Sequence, residues 1–420
     1  MIYDAIVIGG GPAGLMACNV FEQARVNYLL LEKNEKLAKK LLISGGKRCN
    51  VTNSLSIEDF IQSLNLKHKK FLYTALKDFG PIEIIEFFKN HGLNLVLEEN
   101  LKYFPETQKS SSVLEALLKN LDEKRIMLNH SVKRIDKDEF HFTIHTAQNN
   151  YQAKNVVIAT GSNSYPTTGS SGDGLNFARA FGMDYIPFTP AETHVFSNEV
   201  IEKYKDLQGV SINHTRIRIN GTNLTYTGGL IFTHFGISGP AILHASENIY
   251  NALLNGKVTI SFSLILESRE EMVDIINQAR KTKTPILKIL ETITTKKLAN
   301  KVLELTGIEN KNIHEISKKD INAIIEYLTN FTVEIDRVQS RDQAFVNAGG
   351  ILTSQLDPKT MGVKHIKGLY FIGETVDLHG PIGGFNITIA LSTGHMCAKN
   401  IVKTLKEKTK TQKEMQNERY

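Results

Sequence analysis

The sequence predicts an α/β domain, discontinuous along the chain, that carries an inserted antiparallel β module and a small helical module. Three observations lead there. A buried strand, a glycine-rich turn and a helix follow one another near residues 3–24, again near 155–181, and again near 368–405. Between 193 and 266 that grammar gives way to short alternating runs, and between 268 and about 328 to helical spacing. The boundaries read as 1–192 and 341–406 for the two parts of the α/β domain, 193–266 for the β module, 267–340 for the helical module and 407–420 for a polar tail.

Taken in order, Tyr3 to Ile8 is a compact apolar strand, Ala13 to Ala24 has helical spacing, and Tyr28-Leu-Leu-Leu-Glu32 is the next strand. Between the first two lies Gly9-Gly-Gly11-Pro-Ala-Gly14, a G-x-G-x-x-G pattern in the strand-to-helix context that gives it meaning. Gly9 permits the tight turn, Gly11 lets backbone approach a pyrophosphate, and Gly14 lets the helix pack against the strand. Pro12 and Ala13 open the helix, whose N-terminal N–H groups and dipole favour an anion. Glu32, 18 residues after Gly14, ends the next strand where an acid accepts from adenosine ribose hydroxyls, with Lys33 beside it. The unit is therefore Rossmann-like and binds a dinucleotide. By itself the motif suits FAD and NAD equally.

Asn155-Val-Val-Ile-Ala159-Thr160-Gly161 reads as a second strand and turn, and Gly368-Leu-Tyr-Phe-Ile-Gly373-Glu374 as a third, followed by Gly380 to Gly384 and a helix from Phe385 to about Leu405. A lone N-terminal fingerprint with these two later strand ends favours a resident flavin. No second G-x-G-x-x-G follows a strand, so a nicotinamide donor is expected to dock transiently. Ile217-Arg-Ile-Asn and Lys257 to Leu264 alternate as half-buried strands do, and Pro285 and Gly307 mark helix ends.

With 420 residues, 41% hydrophobic and 22% charged, the chain has the composition of a folded globular protein rather than a disordered or fibrous one. Cys18, Cys49 and Cys397 contain no C-x-x-C pair, which excludes a disulfide scaffold and a cysteine zinc site and points to a reducing, cytoplasmic setting. No apolar run reaches the ~18 residues of a membrane span, and the acidic start reads as a strand rather than a leader. A formal charge of +6 is too mild to mark a nucleic-acid binder. Local charge is more telling: between Ala279 and Lys301, seven cations (Arg280, Lys281, Lys283, Lys288, Lys296, Lys297 and Lys301) face the single acid Glu291. Such a stretch neutralises RNA phosphate or simply faces solvent. No histidine pair has metal-ligand spacing with a third ligand, so no metal is expected.

Four longer segments, Ser44-Gly-Gly-Lys-Arg-Cys-Asn-Val-Thr-Asn53, Tyr165 to Gly174, Phe232 to Pro240 and Gly373 to Asn386, resemble the BaiN/RdsA-like family of FAD-dependent oxidoreductases over nearly the whole chain. The resemblance implies a split FAD domain interrupted by β-rich and helical modules. It also implies reduction of a carbon–carbon double bond, either forming dihydrouridine in large-subunit (23S) ribosomal RNA or acting on a bile acid or related enoyl compound, with NADPH or NADH as electron donor. The basic insertion favours the RNA reading, with Lys47, Arg280, Lys281, Lys283, Lys296 and Lys297 as RNA or substrate contacts; a noncatalytic module that binds RNA or a protein and keeps FAD only for stability is the further alternative.

The resemblance places Ser44, Gly45, Gly46, Arg48, Cys49 and Asn50 beside the flavin. Glu374 is suited to a ribityl hydroxyl. Gly383 and Gly384 are expected to offer backbone N–H groups to the ring as charge develops at its N1–C2=O edge, with Phe385 opening the helix and Asn386 adding its amide. Reduction of uracil takes a hydride at C6 and a proton at C5. Cys49, His234 and His379 are the candidate acids, with His194 a rival. Phe385 stands where the family commonly has Tyr, so no phenolic hydroxyl is available there.

Overall fold

The computed structural model describes residues 1–417, save the side chains of 409 and 411–417. It resolves into two compact units, Met1–Thr189 with Val346–Tyr420, and Pro190–Phe345.

The first unit is built on a five-stranded parallel sheet. Its strands are β1 (Ala5–Ile8), β2 (Tyr28–Leu31), β3 (Ile126–Met127), β4 (Val156–Ile158) and β5 (Leu369–Phe371), in the spatial order β5-β4-β1-β2-β3. All the residues of β1, β2, β4 and β5 are buried, as expected of strands covered on both faces. Chain order runs outward from β1 in both directions, so the topological switch point lies between β1 and β4, where an open α/β sheet offers its crevice to a ligand.

Helix α1 (Pro12–Gln23) packs along α2 (Phe385–Asn417) on one face of that sheet. The approach is close enough that a Cβ on Gly394 would lie 2.3 Å from the Ala13 carbonyl oxygen. A three-stranded antiparallel sheet places Lys102–Pro105 between Thr52–Asn53 and Leu95–Glu98. Helix α2 starts at Phe385 but continues well past Leu405, to Asn417. Its polar composition after 406 is that of a helix with little to bury, rather than of a tail without secondary structure. Residues 418–420 of the expected tail lie outside the described residues.

The second unit has a seven-stranded antiparallel sheet, in the order Phe331–Ile335, Val258–Phe262, Ser211–Ile219, Thr225–Phe232, Gly236–Ser238, Val195–Phe196 and Arg337–Val338. Its strand and helical residues share one core, in which Ile260, Phe262 and Phe331 join Met272, Ile276, Leu298 and Ile324. The basic stretch from 279 to 301 is not one helix. Arg269–Ala279 ends in a turn closed by the Thr282 hydroxyl donating to the Ala279 carbonyl at 2.7 Å, and Pro285 disfavours helical backbone at the residue before it. Ile286–Leu290 and Lys296–Thr306 follow as separate helices. Among the described residues no helix is long and apolar enough to cross a membrane.

Candidate functional site

The switch point brings the glycine turn after β1 against the end of β4. Gly9 sits at φ +107°, and a Cβ there would lie 2.5 Å from the Ala159 carbonyl oxygen, so both the conformation and the space demand glycine. Gly11 caps α1 in extended backbone, Pro12 follows at the first helical position, and no side chain caps the first-turn N–H groups. A Cβ on Gly11 would meet nothing within 4 Å. These N–H groups therefore face a cradle that glycine leaves open.

Glu32 is buried at the end of β2, and its carboxylate braces the turn. One oxygen accepts from the Gly10 N–H at 2.8 Å, the other from the Asn34 N–H and side-chain amide, each at 2.8 Å. Lys33 pairs with Asp173 at 2.7 Å and donates to the Ser171 hydroxyl, so its charge holds the 169–174 loop rather than pointing freely at the cradle.

At the end of β4, the Thr160 hydroxyl is buried and makes no hydrogen bond among the described residues. The Gly161 N–H donates to Thr375 Oγ1 at 3.0 Å, and the Gly373 N–H to Thr393 Oγ1 at 3.0 Å. Glu374 accepts from Lys40 Nζ at 2.6 Å and from Ser162 Oγ at 3.0 Å. Burial would raise the Glu374 carboxyl, but the Lys40 ammonium and the Ser162 hydrogen bonds outweigh it and hold the group below the ordinary carboxylate range.

Residues 44–50 form a tight left-handed loop, with positive φ at Gly45, Gly46, Lys47 and Cys49. Ser44 Oγ donates to the Leu41 carbonyl at 2.7 Å. A Cβ on Gly46 would meet nothing within 4 Å, a second open position. Arg48 pairs with Glu98, donates to Gln108 Oε1 at 2.5 Å and lies 4.1 Å over the Phe104 ring, which commits its charge to the neighbouring hairpin. Lys47 is exposed and makes no ion pair among the described residues.

The loop docks on the start of α2. In the orientation its surroundings dictate, the Asn50 amide donates to the Thr52 and Tyr103 carbonyls at 2.9 and 3.1 Å and accepts from the Gly384 N–H at 3.1 Å. Asn53 Nδ2 donates to the Gly383 carbonyl at 3.2 Å, and Thr388 Oγ1 to Thr52 Oγ1 at 2.8 Å. The Gly384 N–H, expected to face the flavin ring, thus donates to the Asn50 amide. Asn386 closes its own loop, accepting from the Gly380 N–H at 2.9 Å and donating to the Gly380 carbonyl at 2.7 Å, so its amide does not face an open position. Phe385 is buried against Phe60, ring centroids 4.6 Å apart.

The candidate acids are placed unlike one another. Cys49 is fully enclosed by protein atoms, and burial pushes its thiol up to about 12, against a smaller opposing pull from Ser44. His379 is buried in the first unit. His234 is exposed in the second, its ring 5.0 Å from that of Phe235. His194, also in the second unit, is half-buried with Nδ1 3.0 Å from Ser238 Oγ, and burial lowers its imidazole below the ordinary range.

The open Gly11 position, uncapped first-turn N–H groups and an unpartnered Thr160 hydroxyl, gathered at the switch point, fit a bound dinucleotide. The family model described as HI0933-like protein Rossmann domain matches residues 3–400. The chain belongs to this HI0933-like family. Its fold is a Rossmann-type FAD-binding fold, and HI0933-like proteins of this kind are FAD-dependent oxidoreductases.

A ribosomal RNA dihydrouridine synthase of Escherichia coli K12 is 29% identical over 409 residues, covering 95% of this chain and 98% of that one. A 3-dehydro-bile acid delta(4,6)-reductase of Clostridium scindens is 26% identical over 404 residues, covering 94% and 97%. Among solved structures, the 3-ketosteroid-delta4-(5alpha)-dehydrogenase of Rhodococcus jostii RHA1 shares the fold with a TM-score of 0.52 at 14% identity, covering 95% of this chain and 96% of that one.

Sequence reasoning missed Lys40, Ser162, Thr52 and Thr388. Lys40 and Ser162 hold Glu374, and the two threonines tie strand Thr52–Asn53 to α2. Thr52 lies within the Ser44–Asn53 segment, but nothing local singles out any of the four, because each acts on a partner more than 200 positions away.

Proposed function

We propose that this HI0933-like protein reduces the C5=C6 bond of a uridine in large-subunit ribosomal RNA. The observation that carries the choice of RNA is a set of unpaired cations. Lys281, Lys283, Lys288, Lys296 and Lys297 are exposed in the second unit and make no ion pair among the described residues. Lys296 and Lys297 moreover occupy the first turn of their helix, where the dipole disfavours positive charge, with no acid beside them in that turn. Stability alone would not select that placement; a polyanionic partner would. The name of the Escherichia coli relative supports the same reading.

Two members of the expected basic stretch serve the fold. Lys301 is buried between Asp206 at 3.0 Å and Glu304 at 2.8 Å, and Arg280 donates to the Ile316 carbonyl at 2.8 Å.

Bound FAD, recharged by NADPH or NADH, supplies the hydride. The chain binds the diphosphate at the first turn of α1, takes the adenosine ribose at Glu32 and a ribityl hydroxyl at Glu374, and seats the ring beside the 44–50 loop and the start of α2. Cys49, enclosed and hard to ionise, packs the loop rather than delivering the proton. That leaves His379 and His234 as the expected donors.

The test is to digest large-subunit ribosomal RNA from cells with and without the gene and weigh the fragments. One fragment lighter by two hydrogens in the deletion strain is the expected result; identical masses would exclude the RNA substrate. The name of the Clostridium scindens relative favours a second reading, reduction of a small enoyl metabolite, and unchanged RNA would turn attention to it.

A further inference from the structure

We infer that Lys102 is the cation that meets the pyrimidine edge of the bound flavin, the N1–C2=O side on which negative charge settles when the ring accepts a pair of electrons. The inference rests on the flavin site proposed above. Lys102 opens the central strand of the three-stranded sheet, opposite Asn53 on one side and Glu98 on the other. Its aliphatic stem runs beside the turn that starts α2: a Cβ on Gly383 would lie 3.6 Å from Lys102 Cε.

Two features make its charge available. Glu98, the acid directly across the hairpin, is engaged by Arg48 and by Gln108 Nε2 at 2.9 Å. Lys102 is half-buried and makes no ion pair among the described residues. A third feature makes its charge needed. The Gly384 N–H, which would otherwise face developing negative charge at the helix start, already donates to Asn50, and the Gly383 carbonyl accepts from Asn53. A fixed cation at that edge replaces the missing donor and stabilises charge that appears only as the ring is reduced.

Sulfite is the probe. It adds to flavin N5 through its own lone pair, and the displaced ring electron pair moves to the N1–C2=O edge without a proton or an outside oxidant. In K102M, flavin stays bound while sulfite affinity falls by about tenfold or more, and the midpoint potential drops by about 30 mV for each such factor in a two-electron couple. K102R keeps both near wild type. K102Q serves as a second neutral variant should K102M fail to fold. Unchanged sulfite affinity and potential in flavin-loaded K102M or K102Q overturn the assignment of Lys102 and leave the flavin site standing. Wild-type protein that takes up no flavin overturns the site itself and the assignment with it.

Discussion

Lys40 Nζ lies 2.6 Å from Glu374 Oε2, joining the short helix Lys39–Ile43 to the turn after β5 across 334 positions of sequence. Both side chains are about a quarter exposed, and Ser162 Oγ completes the carboxylate's shell at 3.0 Å. The pair fastens two segments that the proposed flavin site draws on.

Breaking that fastening has a defined pH signature. Glu374 is held below its ordinary carboxyl value of 4.5, so its contribution is fully present above about that pH and is lost as pH falls through the depressed value. In flavin-stripped protein, K40M is expected to cost about 1–3 kcal/mol at pH 7. Thermal melts of wild type and K40M should converge as the carboxylate protonates. A gap that persists at low pH would mean the lysine acts through packing alone.

Two glycines of the fingerprint, Gly11 open and Gly14 closely packed, separate binding from folding. Gly11→Ala meets no atom within 4 Å, so its melting temperature should stay near wild type while the methyl fills the cradle and flavin affinity falls by about tenfold or more. Gly14→Ala would press a Cβ to 2.1 Å from the Gly9 carbonyl oxygen, a clash expected to cost about 1–3 kcal/mol. Flavin absorbance after desalting, beside a thermal melt of each apo variant, checks both.

Cys49 tests the reading of the 44–50 loop as scaffold. Its thiol is enclosed, and with a value pushed to about 12 it stays protonated across neutral pH. Cys49→Ala is expected to bind flavin and turn over near the wild-type rate, losing about 1–2 kcal/mol through the small cavity it leaves. Turnover abolished in flavin-loaded C49A, with the fold intact, would return the thiol to the chemistry.

Much of the fold was legible in the chain because a parallel strand, its glycine turn and its helix are local patterns. β1, β2, β4, β5 and the starts of α1 and α2 fall where periodicity and glycines place them. What local patterns do not encode is which partner a polar group finds. Arg48, expected beside the flavin, is also held by Glu98 and Phe104, and Asn386 closes on Gly380, partners that no local pattern specifies. Lys102 carries no motif at all. Its position beside Gly383 follows only from the pairing of the strand Lys102–Pro105 with Thr52–Asn53. The basic stretch was legible as charge, but not in which cations the fold holds: Lys301 is buried between Asp206 and Glu304, while Lys296 and Lys297 in the same helix are exposed.

Lys296 and Lys297 give the sharpest test of the proposed RNA surface, because stability and binding are expected to move in opposite directions. Both sit in the first turn behind the Thr295 cap, where a negative side chain suits the dipole better than a positive one. The double variant K296E/K297E should therefore gain about 0.3–1 kcal/mol of stability per site. If the two lysines neutralise RNA phosphates, the same variant should bind a large-subunit ribosomal RNA transcript more weakly. The slope of log affinity against log salt should also shrink by about 0.7 for each lost single-strand contact. Titrating the transcript at several salt concentrations measures that slope directly. A more stable variant with an unchanged slope would show that these cations face only solvent, and the RNA would have to be held elsewhere.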